Sequence, residues 1–339
     1  MIDVLVAGGG PAGLAAAIHS ALAGLEAVVV EPRTAPVDKA CGEGVMPRGV
    51  VGLRALGVEP AGKELRGIRY VDGTARAEAS FRGSGGLGIR RTELHRALHE
   101  RALGLGVRIV PGRVGEVRQN ADSVGAAGLT ARWLIAADGL HSAVRRGLGL
   151  ELPGGAHRRY GLRRHYRVEP WTDFVEVHWS GRGEAYVTPV ADDLVGVAVL
   201  SRVRRGYDEH LGDFPALTAS LRGAGAEATD VRGAGPLLQR VRRRVAGRVL
   251  LVGDAAGYVD ALTGEGIALG LATAGAAVRC LAAGRAGEYE RAWALLTRRH
   301  RLLTGALLAA SRRPGTARLV VPTASRLPPV FTAAVRALQ

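Results

Sequence analysis

Cysteine is nearly absent from this chain: Cys41 and Cys280 are the only two in 339 residues. Two thiols cannot build a disulfide framework, and neither sits in a metal-ligand spacing. No metal site is expected, and a reducing cytoplasm is the natural compartment. Aromatic residues make up 4% of the chain, so the core must be built from alanine, valine and leucine. No stretch reaches the roughly 18 apolar residues that suggest a membrane-crossing helix. Asp3 interrupts the first apolar run, so no signal peptide is expected. Lysine is as scarce as cysteine: Lys39 and Lys63 are the only lysines among 46 basic residues, and the rest are arginine.

The balance of 46 basic against 31 acidic residues gives a net charge of +15. Such a charge suits nucleic acid or a membrane surface, or arises from arginine spread over a solvated surface. No basic run is interleaved with aromatics at a base-stacking spacing, so no nucleic-acid partner is expected. From Arg291 to Gln339 there are nine arginines and no acid, mixed with stretches such as RLLTGALLAA. That segment reads either as a peripheral membrane face that helps capture an apolar substrate or as a helical cap with its arginines in water. Flotation with anionic liposomes decides between them.

Organisation is plainest at the start. DVLVA (3–7) reads as a buried strand, GGGPAG as a loop, LAAAIHSALAGL as a helix, and EAVVVE as a second strand ending at Glu31. Gly8, Gly10 and Gly13 form G-x-G-x-x-G between strand and helix. The first glycine permits the tight turn, the second lets backbone approach a pyrophosphate, and the third lets helix and strand pack closely. The helix N-terminus offers free N–H groups to the phosphates. A carboxylate at Glu31 can accept both hydroxyls of an adenosine ribose and would repel a 2′-phosphate, so the ligand is FAD or NAD. Pro11, Ala12, Pro32, Arg33 and Val114 are assigned to the same contact set.

Further along, residues 34–50 read as a Gly/Pro-rich loop and 51–57 as a helix. GIRYVDGTARAEASF reads as a hairpin about Asp72-Gly73, and RRTELHRALHERALGLG as an amphipathic helix. Four alternating strands follow between about 160 and 203, then a helix over 208–226. GAGAEA at 223–228 lacks the third glycine, so one dinucleotide site is expected. The segments after 285 read as helices broken by Pro314, Pro322, Pro328 and Pro329. The fold class is therefore α/β: a Rossmann-like dinucleotide-binding domain (1–65, 88–158 and 245–284), which the resemblance below makes FAD-binding, with an inserted antiparallel-sheet substrate domain (66–87 and 159–244). A C-terminal helical segment (285–339) completes it.

Four motifs in order carry a resemblance. GDAA at 253–256 with G-x-G at 264–266 resembles the second FAD motif of the flavoprotein monooxygenase and geranylgeranyl reductase superfamily. IAADGLHSAVR resembles its D-G motif, with Asp138 and Gly139, and RRTELHRAL its R-x-x-L-x-x-x-L helix, with Arg91. The resemblance implies non-covalent FAD, Arg91 reaching its phosphates, Asp254 at the ribityl region, and Gly264, Glu265, Gly266 and Ile267 along the isoalloxazine. KACGEGVMP resembles the loop of the geranylgeranyl reductase-like branch, whose cysteine lies near the flavin; this places Cys41 and Gly42 in the set. Gly257 also fits that branch, since aromatic hydroxylases carry histidine there. Ala261 stands where the superfamily usually has proline, and EAYVTPV does not match the reductases' Y-x-W-x-F-P strand.

Cys41 reads as catalytic, as cofactor-adjacent or as a small core residue. Glu43 either pairs with an arginine or faces the flavin. His165, His178, Trp179 and Tyr186 either line a substrate pocket or pack within the sheet. The first expectation is an NAD(P)H-dependent monooxygenase acting on a hydrophobic aromatic or polycyclic substrate through a flavin C4a-hydroperoxide, with NADPH or NADH as donor. The alternatives are a reductase saturating C=C bonds of an apolar substrate and a non-catalytic FAD-containing binding protein.

Overall fold

The computed structural model describes all residues except 74, 155–157, 223–227, 312–313 and 338–339, so most of the GAGAEA segment lies outside the described residues. The strand Ile2–Ala7, the helix Pro11–Leu22 and the strand Ala27–Glu31 form the first β-α-β unit. Their sheet is parallel in the order Val249–Leu251, Leu129–Ala136, Ile2–Ala7, Ala27–Glu31, Arg108–Pro111, with Val245–Ala246 antiparallel at one edge. These strands are valine- and leucine-rich because helices cover both faces, and the covered residues form the largest core cluster.

A second sheet of seven strands carries the substrate side, in the order Arg232–Ala234, Tyr160–Arg167, Leu194–Ser201, Gly183–Ala191, Phe174–Trp179, Gly67–Asp72, Ala75–Ser80. The hairpin at 67–80 joins it through a parallel pairing of Gly67–Asp72 with Phe174–Trp179. Strand alternation gives this sheet two buried faces. Val187, Val195, Val197 and Val199 pack against the helices Tyr207–Leu211 and Pro215–Leu221. Val175, Val177, Trp179, Tyr186 and Leu200 lie in a different cluster, with Met46, Leu262 and Phe331.

Several local expectations are corrected. The helix expected over 51–57 runs Pro47–Ala55, with Pro47 in its first turn where a missing N–H costs nothing. Part of the expected loop before it forms the strand Gly44–Val45. The single helix expected over 208–226 is two short ones, because Gly212 ends the first and Pro215 opens the second. The C-terminal segment begins with one long helix, Tyr289–Ser311, and Pro328 opens the helix Pro328–Arg336. Pro322 lies inside the first turn of Val320–Arg326 and breaks nothing.

Tyr289–Ser311 packs on the helix Gly266–Ala282, and the last two helices lie on the strand Ala75–Ser80, so the segment spans both lobes. It leaves Leu295, Leu302, Leu319, Leu327 and Val330 exposed. Among the described residues, no helix is long and apolar enough to cross a membrane.

Candidate functional site

The glycine loop is built by close approach. Gly8 has φ +99° and a Cβ there would lie 2.7 Å from the Ala137 carbonyl oxygen; a Cβ on Gly13 would run into the Gly8 carbonyl oxygen. Gly10 faces open space, with only Arg91 Nη2 near, at 3.7 Å. Glu31 is buried at the end of its strand and accepts hydrogen bonds from Gly9 N (2.7 Å) and from Arg33 N and Nε (3.0 and 2.7 Å). Burial opposes its ionisation, but the Arg33 and Gly9 donors win and hold its pKa below the usual value.

One continuous cleft runs from this loop to the second sheet. Gly8, Gly10, Pro11 and Ala12 line it, with Glu31, Pro32, Arg33 and Val114 at one end. Arg91, Asp138, Gly139 and Asp254 line its middle, and Cys41, Gly42, Gly264, Gly266, Ile267 and Tyr186 lie further in. Gly13 stands behind the loop, consistent with a packing role.

Arg91 opens the helix Arg91–Gly104, and burial lowers its pKa. Its Nη1 and the Oδ1 of Asp138 are buried with no hydrogen-bond partner among the described residues. Asp138 Oδ2 accepts from Val144 N at 3.1 Å, which orients the carboxylate. Burial raises the pKa of Asp254, opposed by Lys39, Arg91 and Arg145. An open guanidinium and an open carboxylate beside a bare glycine turn complement a dinucleotide that carries both phosphates and hydroxyls.

The KACGEG loop is pinned from both lobes. Glu43 takes φ 59°. Its Oε1 accepts Arg91 N at 2.8 Å, and its Oε2 lies 2.6 Å from His165 Nε2. Thr188 Oγ1 donates to the Gly42 carbonyl at 2.8 Å, and Arg163 pairs with Asp38. Cys41 is thereby held in the cleft, its Sγ accepting from Glu43 N at 3.4 Å. Burial raises its pKa and keeps the thiol protonated; Arg91 pulls the other way.

Other expected residues lie away from the cleft. His165 is fully buried, with Nδ1 3.0 Å from both Arg163 Nη1 and Thr229 Oγ1. His178 meets Glu176 at 3.3 Å, and Glu176 also accepts from Arg69 and Trp171. Although burial opposes it, those donors hold the Glu176 pKa at about 2. Trp179 packs against Tyr70, ring centroids 5.3 Å apart. Of the four candidate substrate residues, only Tyr186 lines the cleft, its hydroxyl donating to Leu262 O at 2.8 Å.

Two buried titratable residues near the site were not singled out from the sequence. His95, one turn after Arg91, binds the Gly9 carbonyl at 2.9 Å; burial lowers its pKa to about 4, so it is neutral. The i, i+4 spacing from Arg91 was the available signal. Asp260 joins Arg159 and Glu184 in a buried ionic group, and burial lifts its pKa to about 6. No local pattern marks it.

Glu265 is 3% exposed, its Oε1 has no partner, and burial raises its pKa to about 8 with only Arg48 opposing. A carboxyl raised in the folded state stabilises below its unfolded pKa, and that stability is lost as pH rises toward 8. Glu265→Gln should therefore melt close to wild type at pH 5 and several degrees higher at pH 8. Equal wild-type and variant melting temperatures at both pH values would contradict the burial assigned to it.

The fold and this cleft define a dinucleotide-binding flavoprotein. A family profile described as an FAD binding domain matches residues 1–162. The chain is 31% identical to a menaquinone reductase of Mycolicibacterium smegmatis, over 88% of this chain and 80% of that protein. It is also 31% identical to digeranylgeranylglycerophospholipid reductase 1 of Methanothermobacter thermautotrophicus, over 86% and 81%. A geranylgeranyl bacteriochlorophyll reductase-like structure from Thermoplasma acidophilum superposes with a TM-score of 0.79 at 20% identity, covering 99% of this chain and 95% of that one. The chain belongs to the FAD-dependent monooxygenase and geranylgeranyl reductase-like flavoprotein superfamily, a family of oxidoreductases whose cofactor is FAD.

Proposed function

We propose that the protein is an FAD-dependent reductase that saturates a carbon–carbon double bond in an apolar, isoprenoid-type substrate. The observation that carries this reading is Cys41, a protonated thiol in the same cleft as Gly264, Gly266 and Ile267. Arg91, Asp138 and the glycine loop would hold the diphosphate and ribityl parts of FAD. Bound FAD, reduced by NADPH or NADH, would supply a hydride to one alkene carbon.

Saturation also needs a proton at the second carbon. Cys41 Sγ holds one at rest, and the Arg91 charge supports the thiolate left behind until solvent returns the proton. Val175, Ala198, Leu200 and Leu237 give the inner end an apolar wall that orients a hydrocarbon and excludes water. The two relatives described above are reductases by name, which agrees with this reading.

Oxygenation, ranked first on sequence alone, is the alternative; the departure of EAYVTPV from the reductase pattern favours it. Turnover under ¹⁸O₂ with a polyprenyl quinone or polyprenyl lipid separates the two. The expected product is two hydrogens heavier than the substrate and free of ¹⁸O. A product carrying one ¹⁸O would establish the monooxygenase instead.

A further inference from the structure

The turn Gly253–Ala256 and the start of the helix Gly266–Ala282 are a shared wall. Gly253, Asp254, Tyr258, Gly266 and Gly270 line the cofactor cleft on one side and a second cavity on the other. The helix Tyr289–Ser311 forms the opposite wall through Trp293, Thr297 and Arg301, and Arg240 and Arg244 complete it. Position 257 keeps this space open. A Cβ on Gly257 would meet Gln239 O and Val241 at 3.5 Å and Arg244 Nη2 at 3.8 Å, so a larger side chain would grow among the lining residues.

The cavity is positively charged on balance. Arg244 is neutralised by Glu290 at 2.9 Å, and its guanidinium lies 3.7 Å over the Trp293 ring. Arg301 sits 5.4 Å from the same ring, and neither Arg301 nor Arg240 forms an ion pair among the described residues. Asp254 is the only carboxylate in the lining. Arg301 beside the Trp293 ring and Arg240 elsewhere in the lining are both exposed to solvent, so an anion entering the cavity can meet them next to a flat apolar wall.

We propose that this second cavity binds an organic phosphate, with Arg240 and Arg301 taking the phosphate group and Trp293 the adjoining planar or apolar part. Two sources share that chemistry: a nicotinamide dinucleotide that feeds the flavin, and the phosphorylated head of an isoprenoid substrate. A ligand there would lie against the same Asp254–Tyr258 wall that bounds the flavin site.

The test is equilibrium titration of the FAD-bound protein with NADP⁺ in one arm and geranyl diphosphate in the other. Binding alone is read, so the result stands whichever reaction the flavin performs. The double variant Arg240→Ser/Arg301→Ser should weaken at least one probe about tenfold or more, with FAD content and melting temperature unchanged. Thr297→Trp, which fills the cavity without altering charge, should do the same. Loss for NADP⁺ assigns the electron donor, loss for geranyl diphosphate assigns the substrate head, and loss for both assigns a shared site. Equal binding by wild type and both variants, or no binding of either probe to wild type, would overturn the proposal.

Discussion

Gly13→Ala is expected to purify without its yellow colour. A Cβ at this position collides with the carbonyl oxygen of Gly8, and that obstacle is backbone, so no rotamer relieves it. The helix Pro11–Leu22 must move off the strand Ile2–Ala7, which opens the loop that would cradle the phosphates. Overpacking of this kind costs about 1–3 kcal/mol, and more where backbone must shift. FAD released on denaturation, measured against protein, should fall at least tenfold. Gly104→Ala is the control: nothing lies within 4 Å of its Cβ, so FAD content should match wild type. Full FAD occupancy in Gly13→Ala would contradict the close-packed turn.

Cys41→Ala should separate cofactor binding from turnover. The thiol contributes one long hydrogen bond to its own loop, while Glu43 and Thr188 pin that loop independently. FAD content and the rate of flavin reduction by NADPH or dithionite should therefore stay near wild type. Alkene saturation should fall about 10²-fold or more, the usual contribution of a positioned general acid. Turnover within twofold of wild type would leave Cys41 a packing residue and move the proton to another group.

How far the sequence could be read follows from the range of each interaction. The β-α-β unit and the acid at Glu31 were legible because strand, glycine turn and helix are contiguous and each states its own period. The second sheet was legible as alternation, but alternation does not say which face meets the cofactor. Tyr186 faces the cleft. His178 turns to Glu176, and Trp179 lies beyond the cleft against Tyr70. The KACGEG loop was visible as a motif, yet its shape depends on Glu43 meeting His165, 122 residues away. The segment over 208–226 had helical composition, and only Gly212 and Pro215 together divide it. The second cavity depends on residues 238–244, 253–259, 266–273 and 293–301 meeting, and no single stretch encodes it.

The central claim, that the flavin passes its electrons to a carbon–carbon double bond, is tested most directly without oxygen. Enzyme reduced anaerobically with dithionite and freed of excess reductant is mixed with a polyprenyl quinone or lipid, and the flavin absorbance is followed while products are identified by mass. The account predicts that the oxidised flavin spectrum returns in step with one saturated double bond per FAD, and that Cys41→Ala stays reduced. Flavin that remains reduced until oxygen is admitted, and then yields an oxygenated product, would contradict it.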